Sequence, residues 1–205
     1  MFNSSRVAKV LTAVALAVVV TGALMACGKA EPPAPAPTAS PLKLTAGIQD
    51  IMKDLIEPAA DFLWESVSTT ETAAGVEEKQ PRTDEEWAEV RKHAIIIAES
   101  ANLILLPGRH VAREGKVLDD HGTPGNLTAA EAEQAIAADR ATYEGFGRAL
   151  HDVGVAFLKA AEQRNPQGIL DAGESMDEVC EGCHLKFWYP GQKIPAFPDQ
   201  APEVN

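Results

Sequence analysis

Residues 165–188 read NPQGILDAGESMDEVCEGCHLKFW, and this stretch decides how the rest of the chain is read. Asn165 followed by Pro166 is a helix start: a side chain able to cap free backbone N–H groups, then a residue whose missing N–H costs nothing in the first turn. From there Ile169, Ala172, Met176, Cys180, Cys183 and Phe187 recur at steps of three and four, the apolar stripe of one helix face. Both thiols lie on that stripe.

Three further segments upstream carry the same period. One begins at the capping box Thr128-Ala129-Ala130-Glu131 and places Ile136, Tyr143, Phe146, Leu150, Val153, Phe157 and Ala160 on one face. Another begins at Thr83-Asp84-Glu85-Glu86, has the stripe Trp87, Val90, Ala94, Ile97, Ala101, Ile104, and ends at Pro107-Gly108. The first runs from about Leu44 to Val67 with Ile48, Met52, Leu55, Ala59 and Phe62 on its stripe; Pro58 inside it is expected to kink it or remove a hydrogen bond. Seams of this kind pack best at a crossing near 20°. The fold expected over residues 43–188 is therefore all-α, an antiparallel four-helix bundle. The outer connections can be short. The middle one, Pro107 to Leu127, is long and Gly-containing, suited to a crossover or a functional loop. Past Tyr189, repeated prolines predict an irregular tail over 189–205.

Composition agrees with a helical reading and excludes several functions. Aromatic residues make up 5% of the 205, and no long run alternates apolar with polar. The formal net charge of −12 argues against a sequence-independent grip on nucleic acid and against a polybasic membrane patch. Three cysteines are too few for a disulfide-stapled mini-protein.

The N-terminus is an export signal in three parts: Arg6 and Lys9, the apolar run Leu11 to Val20, then small residues. The apolar run is short for a membrane-spanning helix, which needs about 20 residues. Leu24-Met25-Ala26-Cys27-Gly28 resembles the lipobox of bacterial lipoproteins. The resemblance implies cleavage after residue 26 and acylation of Cys27, and Gly28 in place of an aspartate implies delivery to the outer membrane, facing the periplasm. Residues 1–26 hold two cations and no acid, so the mature chain would carry −14 where the whole carries −12. Residues 27–42 form a Pro/Ala-rich tether, whose stretch 28–41 at about 3.1 Å per residue reaches roughly 40 Å.

With Cys27 assigned to lipid, two thiols remain for chemistry, in Cys180-Glu181-Gly182-Cys183-His184. CxxCH is the attachment motif of c-type haem. Thiols three residues apart on a helix share a face and can each add to one vinyl group, and the adjacent His184 is then carried beneath the iron as proximal ligand. Two other readings use the same residues: a thioredoxin-like dithiol, which lacks its strand–helix alternation here, and half of a zinc site, which lacks a second Cys pair. The expected cofactor is one covalent haem c, held inside the bundle because both thiols lie on the core stripe.

A CxxCH near the end of the last of four helices resembles the class II cytochromes c, the cytochrome c′ group. The resemblance covers about residues 44–188 and rests on architecture and on Cys180, Cys183 and His184. Phe187-Trp188-Tyr189-Pro190 and the long middle link suggest a divergent branch. Low-spin members of this group place a Met from the first helix on the iron; high-spin members leave that side open and bind NO or CO. Met52, on the stripe of the first segment, matches the low-spin pattern, while Met176 shares a helix with His184 and is read as packing. The resemblance implies a non-enzymatic electron carrier with His184 and Met52 as iron ligands; the alternative is a five-coordinate NO/CO-binding protein. A peroxidase would need a distal acid–base group, for which His93 or His151 are the candidates, and His110 and His121 complete the rival ligands. Arg109 is read either as a partner for a haem propionate or as a favourable charge at a helix C-terminus. The expected partners are a redox protein, basic by complementarity to the acidic chain, and the membrane through Cys27; nucleic acid is excluded, and a homodimer is allowed for.

Overall fold

The computed structural model describes residues 42–192. Helix α1 (Ile48–Ile51) runs into a π-helical turn (Met52–Ile56) and then into α2 (Glu57–Ser66). A hairpin of β1 (Ser68–Thr72) and β2 (Gly75–Lys79) follows, then α3 (Asp84–Leu105), α4 (Ala129–Ala138), α5 (Arg140–Glu162) and α6 (Pro166–Phe187). The described chain is thus mostly helical, with one small two-stranded sheet. None of its helices is long and apolar enough to cross a membrane. The export signal, Cys27, the tether up to residue 41 and the tail from residue 193 lie outside the described residues.

The long helices start where their caps dictate. At α3 the Glu86 N–H donates to Thr83 Oγ1 (3.2 Å) and the Thr83 N–H donates to Glu86 Oε2 (2.9 Å). The Thr128–Glu131 pair closes in the same way ahead of α4. Asn165 takes the cap position of α6 in extended backbone but makes no side-chain capping bond. All six stripe residues of α3 are buried, as are Tyr143, Leu150, Val153, Phe157 and Ala160 of α5 and Ile169, Ala172, Met176 and Phe187 of α6. Helix α3 packs along α5, α5 along α6, and α2 against α3 and α6.

Three departures from the sequence reading have physical causes. The first segment holds a π turn, in which the Glu57 N–H reaches back five residues to the Met52 carbonyl. Pro58 has no N–H to give to Asp54, and its ring would crowd that carbonyl in a regular helix; a wider turn just upstream relieves both demands. The inserted residue rotates the stripe, so that Ile51, Ile56, Ala60 and Leu63 join Ile48 and Ala59 in the core while Leu55 is 39% exposed. The third segment breaks at Asp139 (φ −137°, ψ 58°), whose side chain accepts from the Thr142 N–H and takes the Lys186 ammonium. A short acidic side chain offered these local partners starts a new helix more readily than it continues the old one. The short connection expected after α2 is instead the hairpin, paired from Ser68–Lys79 to Thr72–Gly75; both strands are almost wholly exposed, so they leave no hydropathy pattern to read.

The closest approach of two helix backbones in the core is at Gly154 of α5. A Cβ there would meet Ala98 N at 2.5 Å and Ala98 Cα at 2.8 Å, both backbone atoms that cannot swing aside. Gly154→Ala is expected to force α3 and α5 apart and to cost about 1–3 kcal/mol, read as a lower midpoint in thermal unfolding followed by circular dichroism. Gly145→Ala, in the same helix with open space around it, should leave the midpoint unchanged or raise it.

Candidate functional site

The sequence-nominated residues converge on one cavity of about 660 Å³. The first helical segment contributes Met52, Ile56 and Ala60 to its wall, α5 contributes Tyr143, Phe146 and Leu150, and α6 contributes Val179, Cys180, Cys183 and His184. Met52, Cys180, Cys183 and His184 are each half-buried, and neither thiol is in a disulfide. Met52 stands at the first position of the widened turn, partly buried against the core. Gly182 lets α5 come close to the motif, because a Cβ would meet the Phe146 ring at 3.0 Å.

The rest of the wall comes from the 107–127 link and from residues just past α6. Trp188 Nε1 donates to Asp120 Oδ2 (2.9 Å), and Asn126 Nδ2 donates to the same oxygen. The Leu127 N–H donates to the Trp188 carbonyl (2.8 Å), and the Gly191 N–H donates to the Gly125 carbonyl (3.1 Å). Gly125 has φ +91°, and a Cβ there would strike the Gly191 backbone at 2.7 Å, so this seam requires glycine. At its other side the link is tied to the first segment: Ile48 N–H to His110 O, Gln49 N–H to Val111 O, Arg113 to Asp50, and Lys53 to Asp119. Asp120, which lines the cavity, has its Oδ1 buried with no hydrogen-bond partner among the described residues.

Burial dominates the site's electrostatics. It pushes the Cys180 thiol up to about 11, with the carboxylates of Asp177 and Glu181 adding to the shift. It pushes Cys183 up to about 12, with Cys180 adding. It holds His184 below the ordinary imidazole value, against an opposing pull from Glu181, so the ring is neutral and free to ligate at neutral pH. Tyr189 donates its hydroxyl to Glu181 Oε2 (2.6 Å) and lies 5.6 Å from the His184 ring centroid; burial and that bond both raise its pKa.

Other residues raised by the sequence lie elsewhere. His93 stacks on Phe62 at 3.9 Å and bonds the Glu89 carbonyl; His110 meets Glu133; His151 meets Asp152. None of these three, nor His121, lines the cavity. The Arg109 guanidinium donates to the Leu103 and Ala46 carbonyls (2.7 and 2.6 Å), so of its two readings the structure places it at the helix C-terminus. Met176 is fully buried in the core. Trp188, Tyr189 and Asp120 were not assigned to the site from sequence. The aromatic cluster after the motif was visible, but only the link's fold supplies the carboxylate that fixes Trp188.

The donor set fits a covalent haem: two unpaired thiols on one helical face, an adjacent neutral imidazole, a thioether from another wall, and mostly apolar surroundings. Among the described residues no three His, Cys, Asp or Glu side chains gather to hold a bare metal ion.

With both thiols free, the raised values leave little thiolate at pH 8. Alkylation of Cys180 by iodoacetamide is expected to run about 100-fold slower in the folded chain than in denaturant, and faster as pH rises toward 11. The linked stability has a definite sign. The two thiols stabilise the fold fully below their unfolded value of 9.0, and that contribution is lost as pH rises through about 11 and 12. His184, depressed in the fold, stabilises it above the unfolded imidazole value and loses that contribution as pH falls.

Comparisons with protein-family models, with curated proteins and with solved structures return no match to this chain, so a functional reading stands on the residues of the site.

Proposed function

We propose that this chain is a c-type cytochrome that carries electrons in the periplasm, anchored by lipid at Cys27. In this reading the helical segments form a four-helix bundle resembling that of the class II cytochromes c. One haem c is held covalently by Cys180 and Cys183 and ligated by His184 and Met52. The observation that carries the reading is the convergence of those four residues on a single, mostly apolar cavity, although Met52 is 128 positions from Cys180 along the chain. The iron supplies one-electron exchange when the haem is bound.

The protein's own residues supply the rest. Cys180 and Cys183 fix the group to α6, and α6 in turn is fixed to the link through Trp188 and Asp120. Ile56, Phe146 and Leu150 exclude water, which favours a small change in solvation between redox states. Met52 would offer a thioether to the iron of a bound haem, which would favour the ferrous state and leave no open site for oxygen or a substrate. The Tyr189–Glu181 bond holds a ring beside His184 and restricts how the imidazole can turn.

Optical spectra of the purified protein test the reading. Covalent haem that survives acid–acetone extraction is expected, with a low-spin spectrum and the weak red band of Met–iron ligation. Met52→Ala should abolish that band and admit CO. A wild type that is high-spin and binds CO directly would refute Met52 ligation and favour the NO/CO-binding alternative. Protein without covalent haem would refute the whole reading. Cys180→Ser is expected to lower haem-loaded yield by at least tenfold in a host that attaches c-type haem, measured by haem staining after denaturing gel electrophoresis.

A further inference from the structure

A second, smaller groove lies beside the cavity, between α2 and α6. It is about 260 Å³, floored by Leu63, Val67 and Ile169, and it shares one residue, Trp64, with the cavity wall. The Trp64 indole donates to the Gly173 carbonyl (3.2 Å) and lies on that glycine, where a Cβ would come within 3.3 Å of the ring. The ring is therefore pinned, yet it is 40% exposed, as is the neighbouring Leu170 at 45%. At this size the groove is smaller than typical ligand cavities of roughly 300–1,000 Å³, but it can take one or two side chains of another protein.

The rim of the groove says what kind of protein. No Lys or Arg occurs from residue 54 to 78 or from 165 to 185, the stretches that contain α2 and most of α6. Glu174 and Asp177 line the groove and Asp61 lines the cavity beside it; none of the three is in an ion pair among the described residues. Elsewhere the chain mixes its charges: α3 and α5 pair Lys92 with Glu89, Arg91 with Glu162, and Arg140 with Glu144. A second copy of this chain would bring two uncompensated acidic rims together, which is repulsive.

We infer that the α2–α6 groove, centred on Trp64 and rimmed by Asp61, Glu174 and Asp177, is the docking surface for a partner protein presenting an apolar side chain within a Lys/Arg-rich surface. The inference rests on the electron-carrier reading for its purpose, because Trp64 touches both the groove and the cavity and so places the partner at the cavity wall. An aromatic anchor surrounded by charges is how interfaces combine affinity with steering: the buried ring holds the complex, and the rim sets the association rate and its salt dependence.

Calorimetric titration of the full-length, haem-loaded protein in detergent with a short oligolysine peptide carrying one central leucine tests the surface. Binding is expected at low salt and should weaken about tenfold or more as ionic strength rises from about 20 to 200 mM. The double variant Glu174→Gln, Asp177→Asn should bind about three- to tenfold more weakly, and Trp64→Ala about fivefold or more. The control double variant Glu77→Gln, Glu78→Gln, in the exposed hairpin, should bind as wild type. Equal effects from the groove and hairpin variants, or no effect from either, would overturn the docking surface. The optical spectrum of each sample is scored separately, so absence of haem would overturn the electron-carrier reading while the titration still decided the surface.

Discussion

Two backbones meet where Gly154 of α5 lies against Ala98 of α3, and the architecture is laid out from that contact. A side chain on α5 at this point would hold the helices apart. Without one, their flanking rows close over Ile97, Ala101 and Phe157, all fully buried. The same intimacy recurs two turns earlier at Gly147, where a Cβ would meet the Leu105 side chain at 2.5 Å. With α3 and α5 locked, α6 packs on the exposed flank of α5 and α2 on that of α3. The space left among the first segment, α5 and the last turns of α6 is the cavity.

The walls of that space are built differently from its frame. The frame is apolar packing between long helices. The outer wall is a connection with little regular structure, held by a few directed bonds: Asp120 to Trp188, Gly125 to Gly191, Gln49 and Lys53 to Asp119. Only Val111, Ala112 and Leu118 of the link are buried apolar anchors. A loop of this length needs such ties, since its backbone groups have no helix to satisfy them.

How much of this could be read from the sequence depends on which force set each feature. The period of α3 and α6 was legible because burial on one face dictates it, and the two capping boxes located their helices because each needs particular side chains three residues apart. Met52, Cys180, Cys183 and His184 could be nominated together because the CxxCH spacing joins three of them and the apolar stripes carry Met52 and both thiols to the same cavity. The π turn was hidden because Pro58 announces that something must yield but not how, and the answer moved Leu55 outward and Ile56 inward. The hairpin was hidden because it buries almost nothing. Asp120 was hidden because its place depends on a fold of the link that no periodicity describes.

The bonds that close the outer wall join residues far apart in the chain, Asp120 to Trp188 across 68 positions and Asn126 to Gln192 across 66. Contacts of such separation form late, after the local helices, because the loop they close must first be ordered. The seam is also made by residues beyond the last helix, so it cannot form until nearly the whole described chain has been synthesised. The site therefore has a built-in order of assembly: helices and thiols come into place first, and the wall that shelters them is fastened at the end.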